Sequence, residues 1–148
     1  MMTAKAVEAT MNRDMQGFNV VWVFDPSGTK VLMCKRHKEP YKGLYNLVGG
    51  KIERGEDGMS AALRELKEET GITGVSLTHL MDFAYYLADR CRVEVYVGKL
   101  GHDAVIGGDE KDLAWIDVSE DFFDMARFAG EGNIGHIYEI IKQNRFSL

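Results

Sequence analysis

The sequence predicts one α/β domain, a mixed β-sheet with helices on its faces. Three observations predict it. Short runs rich in β-branched and aromatic residues are punctuated by turn signals. Between them stands one amphipathic stretch, Asp57–Thr70, with helical spacing. A second helical run closes the chain, with Ile134, Ile137, Ile140 and Ile141 at helical intervals.

The elements follow in order. Residues 1–16 lack an apolar core and read as an N-terminal arm or short helix ahead of the domain at 17–148. Phe18–Phe24 is a strand that ends at Asp25-Pro26-Ser27-Gly28, a turn signal. Lys30–Lys35 resumes as a strand and completes a hairpin. Arg36–Tyr45 is a polar loop. Asn46–Val48 is short and extended, and Gly49-Gly50 is expected to break it. In the helix, Met59, Ala62, Leu63 and Leu66 form the expected buried stripe, Asp57 the N-cap and Gly71 the left-handed C-terminal stop. Leu77–Leu87 and Arg92–Leu100 are strands joined by Ala88-Asp89-Arg90. Leu113–Val118 is a further strand, and Ser119 caps a short helix through Met125. Ala129–Gly132 is a loop, and Asn133 opens the last helix, where its side chain is a natural N-cap.

Composition narrows the function. A chain of 148 residues with 45% hydrophobic and 28% charged residues suits one globular domain. No apolar run approaches the ~20 residues of a membrane helix, so no membrane partner is expected. A net charge of −5 argues against a nucleic acid polymer as partner. Cys34 and Cys91 are the sole cysteines and form no metal-binding pair, so buried thiols and a cytoplasmic location are expected. A homodimer stays open.

The charge is concentrated where a helix tolerates it least. On a wheel with Met59 at zero, Glu65, Glu69 and Glu68 fall at roughly 240°, 280° and 180°. Glu68 and Glu69 sit at the helix C-terminus, where the macrodipole disfavours anions. Their i+4 positions hold no interleaved lysines. Hard oxygen ligands at this density suit Mg²⁺, with Mn²⁺ as substitute. The preceding loop returns Glu56 to the same place, and Gly49-Gly50 lets the backbone come close. Arg64 cannot face the same way as Glu65, but its fork reaches round to hold a carboxylate.

These residues resemble the Nudix box, G-x5-E-x7-R-E-U-x-E-E-x-G-U, with U bulky and aliphatic. Gly50, Glu56, Arg64, Glu65, Leu66, Glu68, Glu69, Gly71 and Ile72 stand in register with it. The resemblance implies a Nudix α/β/α sandwich from Phe18 to Arg145, and hydrolysis of a nucleoside diphosphate linked to another moiety. It implies Glu68, Glu69 and the Gly49 carbonyl as metal ligands, Glu65 as ligand or base, and Glu56 as an outer acid. Arg64 would orient the cluster. Asp109 or Glu110, in the loop before Trp115, stands where a further ligand completes the family's site.

Arg36, His37, Lys38 and Lys42, in the loop before the box, are candidate phosphate-binding cations. The chain is similar in length and layout to the mutator-preventing, MutT-like branch, which cleaves oxidised nucleoside triphosphates such as 8-oxo-dGTP. In that branch an Asn before the last helix reads the purine edge, and Asn133 has a comparable position. Trp22, Tyr41, Phe83, Tyr85 and Tyr86 are candidates for stacking a base. Val48 and Tyr45 depart from a proline and a tryptophan frequent in the family. The competing expectations are an ADP-sugar or dinucleoside polyphosphate hydrolase, a non-catalytic nucleotide sensor on the same fold, and a cation site without turnover.

Overall fold

The computed structural model describes residues 3–4, 15–104 and 112–144. Six strands form one sheet: β1 (Gln16–Phe24), β2 (Lys30–Lys35), β3 (Tyr45–Lys51), β4 (Thr78–Tyr85), β5 (Cys91–Lys99) and β6 (Leu113–Asp117). Among the described residues two helices flank it, α1 (Gly58–Thr70) and α2 (Asn133–Gln143). The spatial order is β4-β5-β1-β3-β2-β6. β1 and β5 run parallel from Gln16↔Cys91 to Phe24↔Lys99, and the other neighbours are antiparallel. The N-terminal arm lies almost wholly outside the described residues, as do Asp109 and Glu110.

Strand alternation sends side chains to two layers. One face buries Trp22, Val31, Met33, Val95 and Val97 with Phe122, Phe128 and the Ile134, Ile137 and Ile141 stripe of α2. Trp22 is fully buried and stacks on Tyr138 at 5.1 Å, so it is core and not a base platform. The other face buries Val21, Val23, Leu32, Val48 and Tyr96 against Ala62 and Leu66 of α1.

Four expectations need correction. The β1–β2 hairpin closes only at Phe24↔Val31, and β3 inserts between the two strands beyond it. Next, β3 does not break at Gly49-Gly50. Val20 pairs with Gly49 and Asn19 with Gly50, and the strand continues to Lys51. A Cβ on Gly49 would stand 2.1 Å from the Asn19 carbonyl oxygen, so the glycine serves close strand approach. Third, Leu63 is 40% exposed, while the sheet-facing stripe is Ala62, Leu66 and Thr70. Ala61, on the acid-bearing arc, is fully buried and Glu65 is largely covered, while Glu68 on the same arc is half exposed, so the arc is enclosed on one side and open to solvent at Glu68.

Fourth, the segment after β6 forms turns, not a helix. The side chains of Asp117, Asp121 and Asp124 accept the backbone N–H groups of Ser119, Phe123 and Ala126 at 2.8–3.0 Å. Such local bonds offer the backbone an alternative to the helical ladder. Cys34 and Cys91 are half-buried thiols, less enclosed than composition suggested.

Candidate active site

The ends of α1 fix the site. The Asp57 carboxylate accepts the Ser60 N–H at 3.0 Å and caps the first turn. Gly71, at φ 78°, stops the helix, and its N–H donates to the Lys67 carbonyl. Leu66 anchors the middle of the helix on the sheet with no exposure.

Arg64 is the centre of what this helix carries. Its Nε and Nη2 donate to the two oxygens of Glu56 at 2.8 and 2.9 Å. Nη1 donates to Glu65 at 2.9 Å and to Glu68 at 3.3 Å. Nη2 also reaches the Lys51 carbonyl at 3.2 Å. The guanidinium therefore ties α1, β3 and the intervening loop together. This hydrogen bonding to Arg64 holds the Glu56 carboxyl below its usual range, against the opposing effect of desolvation. The same bonds, with Glu56 first, hold the Arg64 proton more tightly than usual.

Glu69 accepts the Gly49 N–H at 3.1 Å. Gly50 lies under Glu65, where an added Cβ would stand 2.6 Å from the carboxyl carbon. The two glycines thus let β3 pass directly beneath the acids. Arg64 bonds to Glu56, Glu65 and Glu68, and Glu69 is held on the Gly49 N–H, so four carboxyl groups gather around one guanidinium. An all-oxygen donor set with excess negative charge fits a hard divalent cation. The backbone N–H of Glu53 donates to Glu56, a contact that the sequence reading missed and that loop spacing alone did not signal.

The remaining candidates lie on other elements. The Arg36 side chain donates to the Pro40 carbonyl at 2.7 Å, and His37 pairs with Asp112 at 2.6 Å. Lys38 and Lys42 are exposed. Asn133 is the first residue of α2 and not its cap; Gly132 holds the cap position with no side-chain bond. The Asn133 amide nitrogen instead donates to the Tyr85 hydroxyl. Beside it the Tyr41 hydroxyl donates to Glu131 at 2.7 Å, and Phe83 lies 6.2 Å from the His136 ring. Burial first, and Glu131 second, push the Tyr41 phenol up to about 12, so it stays a donor at neutral pH. The sequence places Glu131 only in a loop. Its partner Tyr41, among the aromatics singled out, was the available signal.

Comparison with known proteins agrees with this architecture. The family described as NUDIX domain matches residues 14–131. An ADP-ribose pyrophosphatase of Methanocaldococcus jannaschii is 49% identical over 43 residues, 29% of this chain and 25% of its own length. An ADP-ribose pyrophosphatase of Bacillus subtilis is 40% identical over 55 residues, 36% of this chain and 30% of its own. The chain thus spans less than a third of these curated relatives. A C. elegans Ap4A hydrolase binary complex shares the fold with a TM-score of 0.72 at 18% identity, covering 90% of this chain and 100% of that one. With the family match spanning most of the sequence and the mixed sheet matching solved relatives, this chain belongs to the NUDIX domain family.

Proposed function

We propose that this protein hydrolyses a phosphoanhydride bond in a nucleotide, with Mg²⁺ held by its acid cluster. The observation that supports this most is the Arg64-centred group of Glu56, Glu65, Glu68 and Glu69 packed on Gly49-Gly50. Glu65, Glu68, Glu69 and the Gly49 carbonyl would hold the cation, and Mn²⁺ would fit the same donors. When bound, the metal neutralises phosphate oxygens and lowers the pKa of an attacking water. Arg64 keeps Glu56, Glu65 and Glu68 in fixed orientation, so little reorganisation is needed on binding. A glutamate of the cluster accepts the proton of the attacking water. Lys38 and Lys42 are the loop cations whose exposure leaves them able to meet a leaving phosphate. Asp109 or Glu110 completes the ligand set in this reading.

The leading substrate is a nucleoside triphosphate, including an oxidised purine nucleotide such as 8-oxo-dGTP. Asn133 supports it. With its nitrogen engaged by Tyr85, its amide oxygen is left as the acceptor a purine edge would need. The second reading is an ADP-sugar or dinucleoside polyphosphate, favoured by the names of the relatives matched. Product analysis separates them. Pyrophosphate with a nucleoside monophosphate supports the first; AMP with a sugar phosphate from an ADP-sugar, or two mononucleotides from a dinucleoside polyphosphate, supports the second. Absence of any phosphate-containing product across triphosphates, ADP-ribose and dinucleoside polyphosphates would overturn both.

A further inference from the structure

The α1 face of the sheet carries a second group of ligand-type side chains. In the strand register, Asp82 pairs with Glu94, Glu94 with Asn19, and Asn19 with Gly50. These four form one row across β4, β5, β1 and β3. At ~4.8 Å per strand, Glu94 lies about 10 Å from Gly50 and Asp82 about 14 Å. The row starts under the Glu65 carboxylate and ends in a separate cluster.

That cluster is His79, Asp82 and Glu94. The His79 Nε2 is 2.6 Å from Asp82 and 4.0 Å from Glu94, and one ligand atom of each residue lies within 4.8 Å of the others. The imidazole is stacked on Tyr96 with ring centres 4.6 Å apart, which fixes its plane. Glu94 is oriented by the Tyr96 hydroxyl at 2.6 Å and by Arg92 at 2.5 Å. Outer hydrogen bonds of this kind aim ligand carboxylates in metal sites, and each carboxylate oxygen keeps a lone pair after accepting one of them. The cluster opens into a cleft of about 1030 Å³ that also reaches Arg54 and Glu56.

An independent feature points to a polar guest. Asn19 is 1% exposed, and among the described residues neither its amide nitrogen nor its oxygen has a hydrogen-bond partner. It shares the α1 face with Val21 and Val23 and stands directly beside Glu94. A buried amide without partners is costly, and an ion with its bound water would supply them.

We propose that His79, Asp82 and Glu94 form a second divalent-metal site, distinct from the box acids, that takes a borderline transition ion of the Zn²⁺ class. One imidazole nitrogen and two carboxylate oxygens suit Zn²⁺ with water completing the shell, whereas Mg²⁺ prefers oxygen alone. Such an ion ties β4 to β5 beneath the start of α1. It does not depend on the proposed hydrolysis.

The test is Zn²⁺ titration of the full chain in excess Mg²⁺, followed through the imidazole NMR signals and by calorimetry. One Zn²⁺ per chain is expected, with His79 the histidine whose signals move. His79→Ala and Asp82→Asn should each weaken binding by about tenfold or more, and Glu69→Gln should leave it unchanged. Both substituted side chains are about half exposed, so these variants open no core cavity. Absence of Zn²⁺ binding, movement of another histidine alone, wild-type affinity in both variants, or loss of binding in Glu69→Gln would each overturn the proposal.

Discussion

Arg64 shows how one residue organises three glutamates. Lysine carries the same charge but cannot make the two-pronged contact to Glu56 while reaching Glu65 and Lys51. Arg64→Lys should therefore lower kcat by roughly 10–100-fold, the range for losing an outer-shell partner. Its melting temperature should change little, because the pairs are partly exposed. Steady-state kinetics with a thermal melt checks both. Gly50→Ala forces a carbon into the space of the Glu65 carboxylate. Activity should fall with the fold retained, as seen by circular dichroism beside the kinetic assay. The reach of Arg64 to a carboxylate was legible in the sequence, because helical geometry limits where residue 64 can point. Its bond to the Lys51 carbonyl was not, since that depends on where β3 runs.

At the scale of elements, α1 was the most legible part of the chain. Its cap, stop and apolar spacing are local, and Asp57 and Gly71 behave as local rules require. Asp57→Ala should lower stability modestly by removing the cap. Leu66→Ala, at a fully buried position, should cost about 2–5 kcal/mol. Denaturant titration of the two variants measures the contrast. Strand identities were legible too, but strand neighbours were not. The pairing of β3 between β1 and β2, and of β5 parallel to β1, joins residues distant in sequence. The turns after β6 were missed because three aspartates bond their own backbone, and periodicity does not register that competition.

Across the whole molecule, several carboxylates titrate below their ordinary values. Glu56 lies below 4.5 chiefly through Arg64, and Asp57 below 3.8 chiefly through Ser60. Asp117 is lowered chiefly by bonding to Ser119, and Asp25 is lowered by its hydrogen bonds although burial opposes them. A depressed folded-state pKa stabilises the fold above the unfolded value and ceases to do so as pH falls through the folded one. Stability from these groups should therefore be constant near neutrality and decline below about pH 4.5. Glu56→Gln should flatten part of that decline in a melting series. The mixed sheet carries this acid group and the Tyr41, Tyr85, Glu131 and Asn133 cluster in one domain. The central claim is that the box acids act together as a cation site for phosphoanhydride cleavage. Its most direct test is phosphorus NMR of the wild type and Glu69→Gln with the same nucleotide panel and Mg²⁺. The wild type should split a phosphoanhydride bond, and the folded variant should be slower by on the order of 10²-fold or more. Equal rates in the two proteins, or no cleavage of any nucleotide by the wild type, would contradict it.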